Sequence, residues 1–121
     1  MGLDLKLMAL GYMGETVYEQ TWRSQWPIVK LVKLFVSVDK ERALSTRLKD
    51  FEQGNSPVEL YHSDLLCIHK ILSDSYVATA LWDSHSDEYY QDVLVPIRDQ
   101  FKEALDLDDK QSVNFYFYMD C

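Results

Sequence analysis

Two cysteines, Cys67 and Cys121, are all that the 121 residues offer for covalent stapling. Neither sits in a spacing that makes a disulfide framework, so a reducing compartment, the cytoplasm, is the expected setting. Glycine and proline are also scarce, at four and three, which leaves no linker, repeat or low-complexity tract and points to a single domain over residues 1–121. Long apolar runs are missing: Ile28 to Val38 is the longest, and Lys30 and Lys33 break it, far below the roughly 20 residues a bilayer span needs. The opening "MGLDLKLMAL" puts Asp4 where a secretion signal would carry positive charge, and no signal peptide is expected. Gly2 and Cys121 lack the neighbours that lipidation requires. No G-x-G-x-x-G, P-loop or nucleophile elbow occurs. Cations are the last shortage, since residues 71–121 hold three Lys or Arg against eleven Asp or Glu.

Present instead is the material of a core. The chain is 47% hydrophobic and 13% aromatic, and a domain of this size buries roughly two-thirds of its unfolded surface. Net charge is −8, all of it from the second part, because residues 1–70 balance nine cations with nine anions. Direct binding to nucleic acid is disfavoured, since release of counterions from phosphates needs basic protein surface. A basic protein partner is favoured, and no membrane partner is expected.

Leu3, Leu5 and Leu7 alternate with polar neighbours and predict a half-buried strand. "GYMG" turns the chain. Between Glu15 and Gln25 the composition suits a strand, yet Tyr18, Trp22 and Trp26 recur every four residues; helix is the favoured of the two readings. The β-branched run "PIVKLVKLFVSVD" predicts a buried strand. Asp39 then caps a helix through "KERALSTRLKDFEQ" with Leu44, Leu48 and Phe51 on one face, stopped at Gly54 and Asn55. Ser56 and Pro57 are expected to start another helix with Tyr61, Leu65, Ile68 and Leu72 inward. "YVATALW", within residues 75–82, fits a short strand or further helical turns. Ser86 caps a long helix with Asp87 and Glu88 in its first turn. Its inner face carries Tyr90, Val93, Leu94, Ile97, Phe101, Ala104 and Leu105, and Pro96 lies outside as a source of bending. Strict alternation of Val113, Phe115, Phe117 and Met119 with Asn114, Tyr116, Tyr118 and Asp120 marks a terminal strand. The fold class is α+β: a small, mainly antiparallel sheet of three or four strands covered by three or four helices.

Few constellations carry chemistry. His62, Cys67 and His69 share one segment, but zinc wants four ligands, or three and water; a further ligand would come from Asp64, His85 or Cys121. Neither metal nor cofactor is expected, and a Cys67–His69 nucleophile pair fails because residues two apart on a helix face apart. "GYMG" lacks the basic neighbours of an RNA-clamping loop. The acidic helix is less ordinary. Glu88, Asp92, Asp99, Glu103 and Asp106 fall together at 100° per residue with no lysine among them, although like charges four apart cost a few tenths of a kcal/mol each. Recognition of a basic surface explains that better than stability does.

A small acidic α+β chain of this composition resembles, in size, acidity and composition, the immunity proteins of bacterial toxin systems. That resemblance implies a non-enzymatic cytoplasmic inhibitor that covers the active site of a cognate basic toxin, commonly a nuclease. The expected partner-binding residues are Trp82, Asp83, Asp87, Glu88, Tyr89, Asp92, Asp99, Glu103 and Asp106, with Tyr90 as a further aromatic anchor. Two alternatives stand beside it: a phage-type anti-defence inhibitor that mimics nucleic acid, and a small-molecule binding domain or enzyme using the His62, Cys67 and His69 region.

Overall fold

A computed structural model describes residues 3–38, 49, 51, 57–83 and 86–120. The first strand, β1 (Asp4–Leu10), buries Leu5, Leu7 and Ala9 and turns Asp4, Lys6 and Met8 to the other face. A hydrogen-bonded turn comes next, with Gly14 at φ 81°, a conformation that suits a residue without Cβ. The chain then returns as β2 (Thr16–Arg23). The structure corrects the expected helix here to a strand. A spacing of four keeps Tyr18 and Trp22 on one side of a strand as well as of a helix, so that signal cannot separate the two.

The opposite correction applies to the apolar run. Trp26–Val38 is a helix, α1, with Pro27 in its first turn, where a missing N–H costs nothing. Ile28, Val29, Val32 and Val36 are buried while Lys30 and Leu34 are exposed. That is a helical period; as a strand, Lys30 and Leu34 would share a face with Ile28, Val32 and Val36. The predicted helix from Asp39 to Gln53 and its stop at Gly54 and Asn55 lie outside the described residues, apart from Lys49 and Phe51. Phe51 is fully buried and meets Phe117 edge to face, with ring centroids 5.8 Å apart.

A second helix does not begin at Pro57. Val58–Leu60 forms a short strand, β3, and α2 (His62–Ser73) starts only after Tyr61. The Tyr61 N–H donates to Asp64 Oδ2 at 2.7 Å, which caps the helix, and Tyr61 is exposed rather than inward. Leu65, Ile68 and Leu72 are buried as expected. "YVATALW" resolves as helix: α3 (Ser75–Leu81) is capped by Asp74, which accepts from the N–H groups of Tyr76 and Val77.

A short helix α4 (Asp87–Tyr89), a π turn (Tyr90–Leu94) and α5 (Val95–Lys110) form one continuous run. It leads to β4 (Asn114–Asp120). The strands order as β2-β1-β4-β3, every neighbour antiparallel. Helices cover the face carrying Leu5, Leu7, Trp22, Val58, Leu60, Phe115, Phe117 and Met119, which with the buried helix residues make one core. The α+β expectation therefore holds, with four strands among the described residues. Tyr116 and Tyr118 are half-buried on the other face. Among the described residues no helix is long and apolar enough to cross a membrane.

Candidate protein interface

The acidic run starts as its sequence demands. Ser86 accepts from the Tyr89 N–H at 3.2 Å, and Asp87 and Glu88 occupy the first turn, where carboxylates suit the positive helix end. Next comes the π turn, closed by the Val95 N–H on the Tyr90 carbonyl. An i→i+5 bond uses one residue more than an α turn. The helix before the turn is thereby rotated relative to α5 by up to about 100°, one residue's share of a helical turn. The stripe read from an ideal wheel is split. Glu88, in line with Asp99, Glu103 and Asp106 on that wheel, is turned away from them, and Asp92 sits inside the widened turn.

Asp87, Glu88, Asp92, Asp99 and Glu103 are all exposed. Asp99 pairs with Arg98 at 3.0 Å and Asp106 with Lys102 at 3.1 Å, pairings of nearby helix positions that contribute little in water. Among the described residues no cation pairs with Asp87, Glu88, Asp92 or Glu103. Asp83 is exposed at the end of α3 in a left-handed conformation, φ 53°, the place where glycine usually ends a helix.

The aromatic anchors expected beside these charges are largely spent on packing. Trp82 is half-buried against the core and its indole N–H donates to Gln25 Oε1 at 2.7 Å. Tyr90 is buried and its hydroxyl donates to the Leu72 carbonyl at 2.7 Å. Tyr89 packs half-buried on the core. Among the aromatic and apolar side chains that reach solvent are several the sequence pattern does not single out: Tyr76 and Val77 on α3, and Tyr12 and Met13 at the hairpin turn, where Tyr12 is 94% exposed. A helical reading of "YVATALW" puts Tyr76 outside, because Ala78 and Thr79 take the inner face.

One part of the acidic run meets a second element. A groove of about 310 Å³ lies between β2 and α5, lined by Val17, Tyr18, Glu103, Asp106, Leu107 and Lys110. Gln100 ties the two elements together: the Tyr18 hydroxyl donates to the Gln100 carbonyl at 3.0 Å, and the Trp22 indole donates to Gln100 Oε1 at 2.6 Å. Trp22 also stacks on Phe101, centroids 5.3 Å apart. Burial, and then the neighbouring Glu103 carboxylate, push the Tyr18 hydroxyl up to about 12. Glu103 thus acts electrostatically on the strand, not only on solvent.

The histidine region does not gather. His62 Nδ1 lies 2.8 Å from Asp108 Oδ2 across the α2–α5 contact. His69 is half-buried, and burial, then Lys102 and Arg98, hold its imidazole below the ordinary range. Among the described residues no three metal-ligating groups lie together; His85 and Cys121 are outside them. A larger cavity, about 580 Å³, lies on the sheet face turned from the core, lined by Asp4, Lys6, Met8, Thr21, Arg23 and Tyr118 among others. Its cations are engaged, Arg23 with Asp4 at 3.0 Å and Lys6 with Glu19 at 3.5 Å. No family model, curated protein or solved structure matches this chain.

Proposed function

We propose that this chain is a protein-binding inhibitor of the immunity type, which blocks a basic toxin, a nuclease by preference, through its acidic surface. The observation that carries the reading is the groove between β2 and α5, where Glu103 and Asp106 stand beside Val17, Tyr18 and Leu107. Carboxylates next to apolar contact area complement a basic protein surface: charge steers the encounter, and the desolvated apolar part slows departure. Lys110 at the same groove sets a limit on where a partner's cations can lie. A second reading, small-molecule binding, draws on the cavity of about 580 Å³ on the other sheet face, away from the histidines that suggest it in the sequence.

The test is association kinetics with the product of the neighbouring reading frame, measured across a salt series. Replacing Asp99, Glu103 and Asp106 with Asn, Gln and Asn keeps shape and removes charge. The on-rate should fall by about tenfold at low salt and become less salt-dependent, because exposed charges are screened over about 8 Å at physiological ionic strength. The pair Asp87→Asn and Glu88→Gln, on the far side of the π turn, should do less. Equal on-rates for wild type and triple variant at low salt would reduce the acidic face to a solvated surface and sink the inhibitor reading.

A further inference from the structure

The backbone of β2 has a defined phase. The Ser24 N–H donates to the Leu3 carbonyl at 2.8 Å, and these residues stand opposite each other in the register that pairs Arg23 with Asp4. Bonded and non-bonded pairs alternate in an antiparallel ladder. Trp22, Gln20 and Tyr18 therefore turn their N–H and C=O groups toward β1, while Arg23, Thr21 and Glu19 turn theirs away. β2 is an edge strand among the described residues, so that second set has no strand to meet.

Proteins blunt such edges with proline, lysine, bulges or brevity. β2 has eight residues, TVYEQTWR, with neither proline nor lysine. Its irregularity lies at the hairpin end, where the register shifts between Ala9 and Leu10. The groove with Glu103 and Asp106 adjoins the strand at its hairpin end, at Val17 and Tyr18. Beyond its Val17 end the turn presents Tyr12 and Met13 to solvent, held by bonds from Gly11 N–H to the Glu15 carbonyl and from Gly14 N–H to the Gly11 carbonyl. Outward backbone groups, carboxylates and apolar contact area thus adjoin one another around this strand.

We propose that the free edge of β2, with the groove it shares with α5, receives an extended segment of the partner protein that carries alternating Lys or Arg side chains and adds to the sheet beside β2. Main-chain bonds to Glu19, Thr21 and Arg23 supply affinity, and alternate side chains supply selectivity. Those on the helix side meet Glu103, which has no cation partner among the described residues, and Asp106, which Lys102 shares, so cations fit beside Glu103, on the side away from Lys110. A second copy of this chain is the poorer occupant, because it would bring together two surfaces of a protein with net charge −8. The proposal rests on the reading of a basic partner and adds the mode of docking.

The experiment uses the full chain and a short capped peptide alternating Lys with Val. Two control peptides accompany it: one N-methylated at every second residue, and one with Glu in place of Lys. Backbone amide exchange at Glu19, Thr21 and Arg23 should slow by about tenfold or more with the Lys peptide, as newly bonded amides do. N-methylation, which removes the pairing donors, should weaken binding by about tenfold, as should Thr21→Pro. Glu103→Gln with Asp106→Asn should weaken it through charge alone. The N-methyl control acts on the wild-type protein, so the test survives if Thr21→Pro does not fold. Equal binding of the N-methylated peptide, or no protection at millimolar peptide, overturns strand addition. Equal binding of Lys and Glu peptides overturns the charge requirement and with it the basic-partner reading, while leaving the edge pairing standing. Concentration-dependent protection of the same amides without peptide, together with a dimer in sedimentation, makes a second copy the occupant and overturns the proposal.

Discussion

Among the described residues, the two edges of the sheet are built by different rules. β3 is three residues long, comes directly after Pro57 and leads straight into α2, and both its apolar side chains, Val58 and Leu60, are buried. Short and proline-flanked, it leaves little backbone for another chain to pair with. β2 is eight residues long, and only Trp22 among them is buried. It is fastened by polar contacts instead, from Tyr18 and Trp22 to Gln100. The contrast teaches that burial of apolar side chains and protection of the backbone are separate tasks. One edge accomplishes both; the other is anchored underneath and left open along its rim.

The comparison breaks most severely if the sheet interior is not what holds both edges. Phe117 stands opposite Leu7 on one side and Val58 on the other, fully buried. Phe117→Ala should cost about 3 to 5 kcal/mol, read as a lowered urea midpoint; an unchanged midpoint would mean that β4 does not tie the edges together. A smaller effect sharpens the phase of β2. Gln20→Pro removes an N–H aimed at Leu7 across the register and should cost about 1 to 3 kcal/mol. Thr21→Pro removes one aimed outward and should cost distinctly less. Equal losses in thermal or urea unfolding would refute the assigned phase.

The smallest effect concerns the tether of the open edge. The folded protein holds the Tyr18 hydroxyl up to about 12 against its ordinary 10.0, chiefly by burial. Its contribution to stability is complete below pH 10 and is lost as pH rises through about 12, because the unfolded chain gives up that proton first. Tyr18→Phe should flatten this alkaline loss, at a cost of about 1 kcal/mol near neutrality for the bond to the Gln100 carbonyl. Urea midpoints compared on either side of pH 10 decide it; an identical alkaline slope in both proteins would show that Tyr18 is not the tether described.

Much of the fold is legible in the residues where a period of two or 3.6 stands alone. β1 and β4 announce themselves by alternation, and the inner positions Leu94, Ile97, Phe101, Ala104 and Leu105 by helical spacing. The failures share a cause. In α1 the β-branched composition outweighs the placing of Lys30 and Leu34, and in β2 a spacing of four satisfies both periods. The candidate interface is readable only as a set of carboxylates. Which of them border a strand, and that β2 lies at an edge while β4 does not, depends on strand order, a long-range property no local pattern encodes. Tyr12, Met13 and Tyr76 escape notice because their exposure depends on the turn and helix that present them.

The widened turn at Tyr90–Leu94 also limits the shape of any partner. Because it points Glu88 away from Asp99 and Glu103, a flat surface resting on one side leaves the other in water. A partner that used both would have to curve around the helix. One seated on the α5 side leaves Glu88 uncovered, still able to attract approaching cations from a distance. The acidic residues would then serve at different moments, some in drawing the partner near and others in holding it.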